Sequence, residues 1–178
     1  MQYIAFLRGI NVGGHTVKME FLRSLFNEIG LSKVRSYINS GNIFFESEET
    51  EQIILTEKIE SQLQIALGYQ VPTFIRTTTE LEHILSLDPF KGTECTEDMR
   101  LCVMFVQTPI AQDLVLPLYS PKRDATIVKV TTHEAFVVWQ IINGRPPTAG
   151  FLDKVLGKQV TTRFFHTAIK ILAAATSA

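Results

Sequence analysis

The stretch Arg8–Met19, RGINVGGHTVKM, decides which kind of α/β arrangement the N-terminal half adopts. Set against the phosphate-loop pattern G-x-x-x-x-G-K-[ST], Gly9-Ile10-Asn11-Val12-Gly13-Gly14-His15-Thr16 meets every fixed position but one, because His15 stands where the lysine belongs. A working phosphate loop puts that lysine on the β- and γ-phosphates, a hydroxyl on Mg²⁺, and a carboxylate on a second, parallel strand. His15 is shorter than lysine and mostly neutral at pH 7. The acid that ends the apolar run Ile43–Glu46 belongs to a hairpin rather than to a parallel βαβ core. The stretch therefore reads as a glycine-rich turn from a strand into a helix, and nucleotide hydrolysis is not expected.

Working outward, Tyr3–Leu7 is a compact apolar run that reads as a buried strand. After the turn, Leu22, Leu25, Phe26 and Ile29 recur at helical spacing, and Gly30 follows as a stop. The runs Val34–Ile38 and Asn42–Glu46 flank Asn39-Ser40-Gly41, a tight hairpin turn. Leu55, Ile59, Leu63 and Leu67 mark one face of a second helix that Gly68 ends, and Val71–Arg76 is a short strand. The order β-α-β-β-α-β is that of a split βαβ, ferredoxin-like unit.

Thr77 and Glu80 form a capping box ahead of Leu81, Ile84, Leu85 and Leu87, so a short connecting helix is expected there. The polar, turn-rich Asp88–Asp98 reads as a linker. Leu101–Gln107 is again a buried strand. Thr108-Pro109 then supplies an N-cap and a first-turn proline for a helix ending near Pro117. Ala125–Val130 and Ala135–Ile142 flank Thr132-His133-Glu134 as a second hairpin, and helices are expected over about Phe151–Leu156 and Arg163–Ala174. The expected fold is thus α+β, with two tandem ferredoxin-like subdomains, 1–78 and 100–178, joined by 79–99. The second ends in helices instead of a final strand. A single larger α+β sheet is the competing arrangement.

The 178 residues carry a net charge of -1, without the basic excess of a general nucleic-acid binder. Cys95 and Cys102 form no metal or redox spacing and suit a reduced cytoplasmic setting. The N-terminal run has no signal-peptide pattern, and no apolar run is long enough for a bilayer. His15, His83, His133 and His166 are scattered, so neither a metal site nor a cofactor is expected. No nucleophile, base and orienting group can be assembled from linear sequence, which leaves enzymatic activity open.

Three motifs carry a family resemblance: Leu7–Gly14 (LRGINVGG), Val17-Lys18-Met19 at the first helix, and Tyr37–Asn42 (YINSGN) followed by Phe45. With the late Thr161-Thr162-Arg163, they resemble the DUF1697 family of bacterial proteins across nearly the whole chain. Phe164 and Phe165 follow Arg163 where relatives carry an asparagine and an aromatic. The resemblance implies a two-part ferredoxin-like protein and no assigned activity.

The expected function is binding of a small phosphate- or carboxylate-bearing ligand at the glycine turn. Glycine turns at helix starts expose backbone N–H groups to anions. Arg8 ends the strand, and Lys18 stands at the helix start, where the helix dipole disfavours a cation unless an anion or solvent faces it. The candidate ligand residues are Arg8, Asn11, Gly13, Gly14, His15 and Lys18, with Asn39, Ser40 and Asn42 from a turn that could lie near Asn11. Arg163 joins them, placed in the first turn of the last helix behind a Thr161 or Thr162 cap. The alternative is a nucleic-acid-binding or protein-interaction module using the sheet surface, with Phe44, Phe45, Phe105 and Trp139 as stacking aromatics, although the RNP1 pattern is absent.

Overall fold

The computed structural model describes residues 1–14 and 16–177. The first half runs β1 (Gln2–Leu7), α1 (Met19–Glu28), β2 (Ser32–Tyr37), β3 (Asn42–Glu46), α2 (Gln52–Leu67), β4 (Thr73–Thr77) and α3 (Thr78–Ser86). The second half runs β5 (Met99–Val106), β6 (Leu118–Tyr119), β7 (Ala125–Val130), β8 (Glu134–Gln140), α4 (Ala149–Leu156), β9 (Val160–Phe164) and α5 (Phe165–Thr176). Two antiparallel sheets and, among the described residues, five helices make this a mixed α+β protein. The chain forms two compact units: Met1–Ile84 with the segment from Ile171 onward, and Leu85–Lys170.

In the first unit the strand order is β2-β3-β1-β4. Strands pack with alternate side chains on each face. Tyr3, Ala5 and Leu7 of β1 therefore share a face with Ile43 and Phe45 of β3 and Ile75 of β4. Onto that face α1 lays Met19, Leu22, Leu25 and Phe26, while α2 adds Leu55, Ile59 and Leu63. Each such side chain taken from water contributes about 1.5–3 kcal/mol. The capping box forms as expected: the Thr77 N–H donates to Glu80 Oε2 at 2.7 Å, and the Glu80 N–H donates to Thr77 Oγ1 at 3.0 Å. At the end of α5, Arg35 donates to the carbonyls of Ala174, Ala175 and Ser177, and so satisfies carbonyls that a helix end leaves open.

In the second unit the order is β6-β7-β8-β5-β9. One sheet face carries Cys102, Met104, Ala135, Val137 and Ile127, covered by Leu152 and Leu156 of α4. On the other face Phe136 meets Phe90 and Phe165 edge-on, at ring-centre distances of 6.2 and 6.4 Å.

Two expectations for this half are corrected. No helix follows Thr108-Pro109. The Ile110 N–H donates to Thr132 O at 2.8 Å, and Gln112 Nε2 donates to the carbonyls of Ile110 and Thr131. The segment's polar groups are thus taken up by the β7–β8 hairpin, and the few residues between Pro109 and Pro117 leave little room for a helix. Nor does the unit lack a final strand. Thr161 and Thr162 lie inside strand β9 and not at a helix start. They pair with Phe105 and Met104 in β9, whose five-residue ladder along β5 suits β-branched side chains.

Candidate functional site

Among the described residues of the loop after β1, four have positive φ: Gly9 (79°), Asn11 (56°), Gly13 (62°) and Gly14 (90°). The loop is anchored at its start by the Leu7 N–H on Gly41 O (2.8 Å) and the Arg8 N–H on Pro72 O (2.9 Å). It then turns outward: Arg8, Val12, Gly13, Gly14 and Lys18 are exposed, whereas Ile10 and Val17 are buried. Ile10 and Val17 pin the two ends of the loop to the core of the first unit. The helix begins at Met19, with Lys18 as its N-cap residue, so the glycines precede α1 by several residues instead of opening it.

The turn between β2 and β3 lies against this loop. Asn11 Nδ2 donates to Asn39 O at 2.9 Å, and Asn11 Oδ1 accepts the Val17 N–H at 2.7 Å. Within the turn, buried Asn42 donates through Nδ2 to Ser40 Oγ (2.9 Å) and Tyr37 O (3.2 Å). Gly41 is the contact point. A Cβ there would stand 3.0 Å from Leu7 Cβ and 3.1 Å from Ile10 Cβ, and its φ is +72°. Arg8, Asn11, Gly13, Gly14, Lys18, Asn39, Ser40 and Asn42 thus occupy two adjoining turns of one unit. His15 lies outside the described residues.

The nucleotide-hydrolase geometry is absent in a specific way. Both neighbours of β1 run antiparallel to it, and Glu46 pairs with Gln2, at the opposite end of β1 from the loop. Five residue steps along the strand separate Gln2 from Leu7, about 17 Å. Glu46 instead lines a concavity of about 420 Å³ with Glu48, Glu49 and Ser32, a region of the wrong sign for an anion.

Arg163 belongs to the second unit and sits on β9, not on a helix. It is only 9% exposed, and its Nη1 donates to Thr161 Oγ1 and Thr162 O, both at 2.9 Å. Burial pulls its guanidinium down to about 10. Burial also pushes the Cys102 thiol up to about 12, so it is a neutral core group at pH 7. Of the sheet aromatics, Phe44, Phe45 and Phe105 are buried, and Trp139 packs edge-on to Phe164 at 6.3 Å. The three buried rings are closed to a stacking base, while Trp139 is half-buried. Among the described residues no group of three His, Cys, Asp or Glu side chains is placed to hold a metal ion. No helix among them is long and apolar enough to cross a membrane.

The loop and hairpin that build this site fall inside the segment that matches a known family. The model for "Protein of unknown function (DUF1697)" matches residues 1–136. The chain belongs to the DUF1697 family. The conserved bacterial protein SP0830 from Streptococcus pneumoniae resembles this DUF1697 chain in fold, with a TM-score of 0.69 over 98% of each chain at 22% identity. No curated protein matches this DUF1697 chain.

Proposed function

We propose that this protein binds a small ligand bearing a phosphate or carboxylate at the paired turns, Arg8–Lys18 and Asn39–Asn42. The observation that carries this is the state of Gly13 and Gly14. Both are exposed, and among the described residues nothing lies within 4 Å of where their side chains would be, so packing against those residues does not account for glycine there. Backbone with positive φ and open space beside it suits close approach of an anion to N–H groups. Exposed Arg8 and Lys18 bracket the loop and add charge of the matching sign. The test is a thermal-shift titration with inorganic phosphate, pyrophosphate and small carboxylates. A ligand at a hundred times its Kd stabilises by about 2.7 kcal/mol. That rise is expected in the native protein and is lost in Arg8→Ala. A melting temperature unmoved by every anion rejects the proposal.

We also propose that the two sheets are copies of one split βαβ unit. The order β7-β8-β5-β9 stands in the same relation to chain order as β2-β3-β1-β4, with β6 and a loop in place of the first helix. Superposing Ile4–Leu7 on Val103–Val106 is expected to bring the other three strand pairs into register. A displacement beyond a strand spacing of about 4.8 Å rejects it. Two free cysteines, exposed Cys95 and buried Cys102, support a reducing, cytoplasmic setting, which cell fractionation tests.

A further inference from the structure

We infer that Asn11 is the positioning residue of that anion site, holding the glycine loop and the β2–β3 turn in one arrangement without itself contacting the ligand. The inference rests on the anion reading above. Asn11 has three properties that this place requires together. Its φ of +56° falls in the left-handed region, which among side-chain-bearing residues only Asn and Asp visit readily. Its Oδ1 accepts a hydrogen bond from Val17 N, six residues on, which closes the loop upon itself. Its Nδ2 donates to Asn39 O, 28 residues on, which joins the loop to the hairpin. The amide cannot be turned over, because Val17 N–H only donates and Asn39 O only accepts. Aspartate would keep the acceptor, lose the donor, and set a carboxylate against the Asn39 carbonyl. Glycine would keep the backbone and lose both bonds. Among these residues, asparagine alone keeps the left-handed backbone, the donor and the acceptor together.

The two turns meet in two layers. On the buried side, Gly41 packs on Leu7 and Ile10, and Leu7 N–H bonds to Gly41 O. On the more exposed side, Asn11 makes the connection. Removing it leaves the buried layer intact and frees the loop that carries Gly13 and Gly14. Binding an anion would then have to order that loop, which costs affinity.

The experiment compares the native protein with Asn11→Gly by amide NMR, using inorganic phosphate as the probe. In the native protein phosphate is expected to shift the Gly13 and Gly14 amides and, through Asn11, those of Asn39–Gly41. In Asn11→Gly the spectrum stays dispersed, Val17 N–H exchanges faster, and phosphate binds about tenfold more weakly, as when residues supporting a site are removed. The response at Asn39–Gly41 is smaller than in the native protein at equal occupancy. In Asn11→Asp, which retains the acceptor, Val17 N–H stays protected. Native affinity in Asn11→Gly overturns the inference alone. Weakened binding with Val17 exchange unchanged overturns it too, by making Asn11 a ligand contact. A native protein that ignores phosphate overturns both the inference and the anion reading.

Discussion

Replacing Phe136 by alanine is expected to lower the unfolding free energy of the second unit by about 3–5 kcal/mol, the usual cost of emptying a buried phenylalanine site. Phe136 is fully buried on β8, and its ring is met by Phe90 at 6.2 Å and Phe165 at 6.4 Å, which themselves lie 5.1 Å apart. All three contacts are edge-on, the geometry that aromatic quadrupoles favour. The three rings come from the segment after α3, from β8 and from the start of α5, so a cavity there loosens three separate pieces of chain. Trp139, the single tryptophan, lies on the same strand and reports the transition by fluorescence in a urea titration. A loss below about 1 kcal/mol would mean that the cluster is not well packed, since well-packed sites do not collapse without cost.

The second large effect belongs to Gly41→Ala. A non-glycine residue in the left-handed region costs about 1–2 kcal/mol. Forcing a methyl group against Leu7 Cβ at 3.0 Å and Ile10 Cβ at 3.1 Å adds the 1–3 kcal/mol typical of overpacking. The sum is about 2–5 kcal/mol, at roughly 2–4 °C in Tm for each kcal/mol in a chain of this size. Gly13→Ala is the internal control. Its φ is +62°, but among the described residues nothing lies within 4 Å, so the backbone cost of about 1–2 kcal/mol is the one expected. Scanning calorimetry of the two variants separates crowding from conformation. Equal losses would contradict the close approach of the hairpin turn to the loop.

Gly41 also shows why part of the candidate site was readable and part was not. That Asn39–Gly41 forms a hairpin turn follows from small polar residues between two β-patterned runs, and the strands β2 and β3 stand where those runs are. That this turn meets the loop after β1 follows from the pairing of β1 with β3, between residues some forty positions apart, which no local pattern encodes. Arg163 was misplaced for the same reason. Thr161-Thr162-Arg163 has the composition of a helix start, and only the open edge of β5 makes it a strand. Phe90 sits in a stretch with the composition of a linker, yet it is a buried ring of the aromatic cluster.

By itself the sequence determined what neighbours in the chain decide. The helical stripe Leu55, Ile59 and Leu63, the Thr77–Glu80 capping box and the two hairpins all depend on contacts within a few residues, and those energies are written into local composition. The family motifs between Leu7 and Phe45 were legible in the same way, as strings of residues, whereas Thr161-Thr162-Arg163 lies outside the matched residues 1–136. Only the tertiary structure decided that Ile110 N–H goes to Thr132 O instead of into a helix, and that Val160–Phe164 extends along β5. It alone joined Asn11 to Asn39. Each of these is a choice between hydrogen-bond partners of similar intrinsic strength. The winner is the one whose side chains are also buried, and burial depends on chain segments far away in sequence.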